Sequence, residues 1–119
     1  MVQAGRPVYI IDDDTSVRKA LKRLLTIAGY EPECFASGPE FLSRRDLEAG
    51  SAVICDLRMP GMNGVEVLEH LANTSISLPF IFITAVEDDS IVDHAQLLGK
   101  ALLRKPVDAD DLLEALADA

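Results

Sequence analysis

The sequence of 119 residues lacks long hydrophobic runs. Its longest apolar runs, VYII and PFIFITAV, are far shorter than the roughly 20 residues that a transmembrane helix needs. The first residues, MVQAGRPVYII, contain one arginine and pass directly into a strand-like segment, so they do not resemble a signal peptide. These absences predict a cytoplasmic protein without membrane association.

Cysteine and histidine are also scarce, with two of each. Cys34 and Cys55 match neither the spacing of a CxxC pair nor that of a zinc site. His70 and His94 do not supply a nearby pair of metal ligands. We therefore expect both cysteines to be small core residues.

Positive charge is scarce: the sequence has 11 Lys and Arg residues against 20 Asp and Glu residues, which gives a net charge of −9. This balance argues against direct nucleic-acid binding, which requires a basic surface to neutralise phosphates. One basic cluster lies in the first predicted helix, at Arg18, Lys19, Lys22 and Arg23. It is either the solvated face of that helix or a docking surface for an acidic partner.

The chain has the length and composition of one globular domain, spanning residues 1–119, with 49% hydrophobic and 26% charged residues. Five strand-like segments alternate with five helix-like ones, which predicts an α/β fold with a parallel sheet and helices on both faces. The predicted strands are residues 7–12, EPECFAS, AVICDL, PFIFITA and KALLRK.

Apolar spacing and capping residues define the predicted helices. The first has an apolar stripe and ends at Gly29, and the fourth, EDDSIVDHAQLLG, has three inward residues. Ser37 with Glu40 has the spacing of a capping box, and Asp108 can cap the last helix. The stripe of the first helix comprises Val17, Ala20, Leu21, Leu24, Leu25 and Ala28, and the inward residues of the fourth are Ile91, Ala95 and Leu98.

Polar residues follow the predicted strands at their carboxyl ends, which meet at one edge of a parallel sheet. Two carboxylates about 4 Å apart repel by roughly 4 kcal/mol at a protein surface, so the run Asp12 to Asp14 predicts a nearby cation unless it is a solvated turn that caps the next helix. Asp56, Thr84 and Lys105 follow three other strands. Taken singly, each of these residues can be explained by a structural role alone. Together they supply carboxylates for Mg²⁺, a nucleophile, and a hydroxyl and an ammonium for an oxyanion, which are the parts of a phosphoryl-transfer site.

The sequence resembles the receiver domains of two-component response regulators. The resemblance rests on VYIIDDDTSVRKALKRLL, VICDLRMPGMNG, IFITA and LRKP, in the family's order, and it covers essentially the whole chain. DLRMPGMNG is its most specific piece. It implies a doubly wound, five-stranded parallel sheet of the CheY-like, flavodoxin-like kind, with strand order 2-1-3-4-5.

The resemblance also implies roles for the acidic residues. Asp56 would be the phosphoacceptor, and Asp13 and Asp56 would bind Mg²⁺ through their side chains. The backbone carbonyl of Arg58 would be a further ligand, and Asp12 would act largely through water. Asp14 is then left to cap the first helix.

By the same resemblance, Thr84 and Lys105 would close on the phosphoryl group, and Pro106 would follow a cis peptide bond. The segment GKALLRKP departs from the family, because it is shorter by one residue and has Leu102 where an aromatic residue usually moves with the threonine. We expect either a switch that depends less on rotation of a ring or an altered output surface.

The function implied is a phosphorylation-activated switch. A sensor histidine kinase or phosphotransfer protein would donate the phosphoryl group, and the surface of the fourth helix, fifth strand and fifth helix would signal to an output domain or protein partner. A phosphorylation-dependent homodimer is compatible with this function. Dephosphorylation would be slow and self-catalysed. The sequence leaves open whether an output domain follows residue 119.

Two other hypotheses remain. DDDTS approximates the motif of haloacid-dehalogenase-like phosphatases, in which Asp12 would be the nucleophile and Asp14 the acid/base, although Ser16 departs from that motif and DLRMPGMNG would be unexplained. The other is an interaction module that keeps the fold without phosphorylation. The four residues Asp13, Asp56, Thr84 and Lys105 count against it.

Overall fold

The computed structural model describes residues 5–85 and 90–119 and contains one five-stranded sheet in which all neighbouring strands are parallel. The strand order is β2-β1-β3-β4-β5, which confirms the predicted fold class. β3 and β4 are buried at every residue, as expected for central strands covered on both faces. The strands are β1 (Pro7–Ile11), β2 (Glu31–Phe35), β3 (Ala52–Asp56), β4 (Phe80–Thr84) and β5 (Ala101–Arg104).

Among the described residues, four α-helices connect the strands and a fifth follows β5, and a short 3₁₀ helix spans Leu47–Ala49. Two predicted caps are present: Asp14 accepts hydrogen bonds from the backbone N–H groups of Ser16 and Val17, and Asp108 accepts one from Asp111. The helices are α1 (Thr15–Ile27), α2 (Gly38–Leu42), α3 (Gly64–Ala72), α4 (Ser90–Leu98) and α5 (Ala109–Ala117). The predicted capping box of α2 is only half formed, because Ser37 accepts from the N–H of Glu40 while the Glu40 side chain accepts from the N–H of Ala36 rather than of Ser37. The first three residues predicted for the fourth helix, 87–89, lie outside the described residues.

The two faces of the sheet carry separate hydrophobic clusters. On one face, α2, α3 and α4 cover a cluster that includes Tyr9, Phe41 and Phe82. On the other, Leu21 and Leu25 of α1 pack with residues of α5 over the alternate side chains of β1, β3 and β4. This doubly wound arrangement leaves the carboxyl ends of the strands free to form a site. No helix in the described part of the chain is long and apolar enough to cross a membrane.

The prediction that Leu98 faces the core is wrong. Its side chain is 42% exposed, and Val92 is buried instead. A Cβ atom at Gly99 would lie 2.7 Å from the Phe82 ring, so the chain at the end of α4 reaches the core through Gly99 rather than through Leu98. The sequence pattern gives no sign of this close approach of the backbone, which accompanies the outward position of Leu98.

Two other burial predictions need correction. Ala20 and Ala28 are exposed, so the buried stripe of α1 is narrower than its apolar pattern. Cys55 is buried as predicted, but Cys34 is only partly buried, because it lies on β2 at the edge of the sheet.

Candidate functional site

The site lies at the carboxyl edge of the sheet, where β1 and β3 end side by side. Ile11 pairs with Cys55, so Asp12 follows β1 next to Asp56, the last residue of β3. Lys105 directly follows β5, and its backbone N–H donates to the carbonyl oxygen of Thr84 at 2.8 Å. The parallel topology therefore brings together residues that are up to 93 positions apart (105 − 12) in the chain.

Asp12 is completely buried, and each of its two carboxylate oxygens contacts a neighbouring group. Oδ1 accepts a hydrogen bond from the backbone N–H of Asp14 at 2.9 Å, and Oδ2 lies 3.0 Å from the Lys105 ammonium. Among the described residues, Oδ2 has no well-aligned hydrogen bond, so its contact with Lys105 is an ion pair. This oxygen retains capacity to accept a bond from water.

Asp56 is 4% exposed, and its Oδ2 lies 3.4 Å from the Lys105 ammonium. Burial, followed by the negative charge of Asp12, raises the pKa of Asp56 to about 6. The Lys105 charge and a backbone hydrogen bond from Arg58 oppose this rise without cancelling it. The ionised form of Asp56 is therefore held in an unfavourable environment that additional positive charge would relieve.

Lys105 is the cation that the acidic run required. Burial lowers the pKa of its ammonium, but the ion pairs with Asp12 and Asp56 outweigh burial and raise it, so the group stays charged. The peptide bond between Lys105 and Pro106 is cis, the isomer that the sequence resemblance implied.

Asp13 completes a group of three carboxylates. One oxygen from each of Asp12, Asp13 and Asp56 lies within 4.8 Å of the others, and Asp13 is exposed while the other two are buried. Oxygen atoms of carboxylates are the ligands that Mg²⁺ prefers, and an exposed position suits a hydrated ion. The donor set and the incompletely compensated charge on Asp56 both fit this cation.

Thr84 is fully buried at the end of β4, and Leu102 is half-buried opposite Phe82 in the β4–β5 pair. Asp14 does not join the acidic group as a free carboxylate, because its side chain caps α1. The backbone of exposed Arg58 contributes to the site through its bond to Asp56.

Gly64 is a residue of the site that the sequence analysis did not single out. A Cβ atom here would lie 2.6 Å from the backbone carbonyl oxygen of Asp56, and the Gly64 N–H donates to Leu57 at 3.0 Å. The loop after β3 thus folds back against the residue that it follows. The second glycine of RMPGMNG was the available signal, because glycine often permits such a close approach of the backbone.

The family profile and the similar proteins all indicate the same family. The profile of the response regulator receiver domain matches residues 8–117. The chain is 34% identical over 113 residues to the transcriptional regulatory protein FixJ of Rhizobium meliloti, covering 94% of this chain and 55% of FixJ. It is 38% identical over 111 residues to the DNA-binding transcriptional regulator NtrC of Klebsiella pneumoniae, covering 92% of this chain and 24% of NtrC.

Solved structures agree. The chain matches the crystal structure of FixJ-N with a TM-score of 0.87 and 32% identity, over 97% of this chain and 93% of that one. It matches a CheY-like receiver domain from Methanospirillum hungatei with a TM-score of 0.85 and 28% identity, over 95% of this chain and 91% of that one. The chain spans about half the length of FixJ and a quarter of NtrC. Receiver domains are generally phosphoacceptor switches that bind Mg²⁺ in an acidic pocket, and the chain belongs to the family of response regulator receiver domains.

Proposed function

We propose that this domain accepts a phosphoryl group on Asp56 from a sensor histidine kinase or phosphotransfer protein, with Mg²⁺ bound, and switches an output surface in response. The observation that carries the proposal is the position of Asp56 at the end of β3, with Asp12 and Asp13 within 4.8 Å and Lys105 at 3.4 Å. This arrangement offers a carboxylate nucleophile beside a group of metal ligands and a fixed cation.

In the proposed reaction, a carboxylate oxygen of Asp56 attacks the phosphorus of a phosphohistidine. An O–P bond forms as the N–P bond breaks, and the imidazole leaves with the electron pair of that bond. The Lys105 ammonium, already 3.4 Å from Asp56, is positioned to pair with an oxygen of the transferred group. The buried hydroxyl of Thr84 would donate to another oxygen of that group.

For Mg²⁺, the proposal assigns the side chains of Asp13 and Asp56 and the backbone carbonyl of Arg58 as ligands, with Asp12 acting through water. Mg²⁺, when bound, supplies positive charge that lessens the repulsion between the carboxylates and an approaching phosphoryl group. Asp12 is suited to an indirect role, because it is fully buried and already occupied by Lys105. Slow hydrolysis of the aspartyl phosphate would return the domain to its resting state.

The proposed switch shifts the population of states at the surface formed by α4, β5 and α5. Lys105 supports this route, since it is bonded to Thr84 through its backbone and directly follows β5. Leu102 packs against the cluster beneath α4, so we propose that an aliphatic side chain, rather than a rotating ring, transmits the change here.

The proposal includes a cytoplasmic location and an output domain or protein partner. FixJ and NtrC are named as transcriptional regulators, and both extend beyond the region that this chain matches. For this chain, regulation of transcription is one output consistent with that likeness. The kinase partner follows from the chemistry proposed for Asp56.

The phosphatase hypothesis is disfavoured by two contacts. It requires Asp12 as a nucleophile, but Asp12 is fully buried and paired with Lys105. It also requires Asp14 as an acid/base, but Asp14 accepts two backbone hydrogen bonds as the cap of α1.

Chelation tests the proposed role of the metal. We expect the intact mass of the protein to rise by one phosphoryl group after incubation with acetyl phosphate and Mg²⁺, and to stay unchanged when EDTA replaces Mg²⁺. The reason is that the carboxylates then repel the donor without compensation. Addition of excess Mg²⁺ to the chelated sample is the control and should restore the adduct. Equal labelling in EDTA would remove the metal from the proposal.

A further inference from the structure

Charge is segregated between two neighbouring helices. α1 carries four basic residues and no acidic one, whereas residues 106–119, which contain α5, carry five acidic residues and no Lys or Arg. All except the partly buried Arg18 are exposed. The basic residues are Arg18, Lys19, Lys22 and Arg23, and the acidic ones are Asp108, Asp110, Asp111, Glu114 and Asp118.

An apolar groove of about 540 Å³ lies beside the basic helix. Val17, Ala20 and Leu24 of α1 form one wall, and Pro106 and Val107 before α5 form the other. Ile27 is 79% exposed and lies seven residues after Ala20, so it extends the same apolar stripe along α1. The face thus combines an uncovered apolar strip with basic residues on one of its helices and acidic residues on the other.

We propose that this face binds a second copy of the chain across a two-fold axis, so that α1 of each protomer lies against α5 of its partner. Under two-fold symmetry this contact forms twice, so the basic α1 of each protomer meets the acidic α5 of its partner. Charge complementarity selects this occupant, because α1 and α5, which pack over the same side of the sheet, carry charges of opposite sign.

Within the described part of one chain, the opposite charges of α1 and α5 do not pair with each other. Both pack on the cluster that includes Leu21 and Leu112, but no ion pair joins α1 to α5 among the residues that the structure describes. Pairing of two copies would cover the groove and place the opposite charges across the interface. Since exposed ion pairs contribute little individually and are screened by salt, the dimer is weak and dissociates as ionic strength rises.

Dimerisation at this face would regulate the site, a consequence that rests on the proposed function. Lys105 lines the end of the groove, and its ammonium contacts both Asp12 and Asp56. A protomer seated in the groove therefore restricts the approach of a phosphodonor protein to Asp56. A small donor such as acetyl phosphate is affected less.

Charge reversal on each helix provides the test, with the sedimentation velocity of the full chain as the readout. One variant carries Lys19→Glu and Arg23→Glu, and the other carries Glu114→Lys and Asp118→Lys, all at exposed positions. At low ionic strength, about 0.02 M, we expect wild type to form a concentration-dependent dimer and each variant alone to be monomeric, because like charges then face each other.

An equimolar mixture of the two variants should recover the dimer, since reversed α1 of one variant meets reversed α5 of the other at one contact, and the unchanged α1 and α5 meet at the second contact. The exposed Arg45→Glu, which changes charge away from this face, is the matched control and should dimerise like wild type. Circular dichroism checks that each variant is folded. The proposal is overturned if wild type stays monomeric, if either variant alone dimerises like wild type, or if the mixture remains monomeric. None of these readouts uses phosphorylation, so they do not depend on whether Asp56 accepts a phosphoryl group.

Discussion

Asp56→Asn should make the metal-free protein more stable by about 1–2 kcal/mol near pH 8, since it removes a charge held in an unfavourable place. Burial and Asp12 together raise the pKa of Asp56 to about 6 from an ordinary value of 3.8. That difference corresponds to about 3 kcal/mol, and solvent screening at this partly open edge reduces it. The free energy of unfolding from urea titrations in EDTA measures the gain.

The gain should depend on pH with a defined sign. Because the folded state holds the Asp56 proton more tightly than the unfolded state, wild type loses stability as pH rises from about 3.8 to about 6. Asp56→Asn lacks this titration, so its advantage is greatest above pH 6 and disappears toward pH 4. Mg²⁺ should stabilise wild type more than the variant, because it compensates the charge that the variant lacks.

Asp14→Asn is the matched control, since it makes the same chemical change in the same acidic run. Asn is as good a helix cap as Asp, so we expect little change in the free energy of unfolding. If Asp56→Asn and Asp14→Asn behaved alike at every pH, the strained environment assigned to Asp56 would be wrong.

Lys105→Ala should destabilise the metal-free protein by about 2 kcal/mol near pH 8. The substitution leaves Asp12 and Asp56 facing each other without the ammonium that lies 3.0 Å and 3.4 Å from their oxygens. Removing one member of a buried ion pair commonly costs about 3–5 kcal/mol, and the 20% exposure of the Lys105 side chain reduces the loss. Urea unfolding measures the effect, and Mg²⁺ should restore part of it.

Lys100→Ala is the control, because Lys100 is exposed at the other end of β5 and should change stability by less than about 0.5 kcal/mol. Asp56→Asn should suppress most of the loss caused by Lys105→Ala, because neutralising one of the two carboxylates removes the repulsion between them. A loss in Lys105→Ala no larger than in Lys100→Ala would contradict the role of this ion pair.

The proposed switch adds a functional expectation for Lys105→Ala. The variant should retain some phosphoryl acceptance but show a smaller change in hydrogen exchange at α4 and β5 on phosphorylation. An undiminished change would remove Lys105 from the switch. Leu102→Tyr, measured in the same way, should strengthen the response if transmission through a ring is what the chain lacks.

Much of the fold follows from local pattern. The alternation of apolar strands and amphipathic helices predicts a parallel sheet, and Asp14 and Asp108 cap helices as their sequence contexts indicate. The convergence of Asp12, Asp56 and Lys105 follows from one topological rule, that parallel strands end at the same edge. Burial of Leu98 was mispredicted because it depends on how closely the Gly99 backbone approaches Phe82, a tertiary contact without a local signal.

The energetics of the site were not accessible from the sequence. A run of three aspartates indicates electrostatic repulsion. It does not show which carboxylate is buried, which one caps a helix and which one is exposed. The structure divides these states among Asp12, Asp14 and Asp13, respectively. The raised pKa of Asp56 likewise depends on its burial and on Asp12, which reaches it only through the pairing of β1 with β3.

The most direct test of the account is intact-mass spectrometry of wild type and Asp56→Asn, incubated in parallel with Mg²⁺ and acetyl phosphate, with released phosphate measured in the same samples. The account predicts a gain of one phosphoryl group in wild type and none in Asp56→Asn, while Asp14→Asn is labelled like wild type. A stable adduct on Asp56→Asn would contradict it. So would steady phosphate release that survives Asp56→Asn and disappears in Asp12→Asn, because that result would identify Asp12 as the nucleophile.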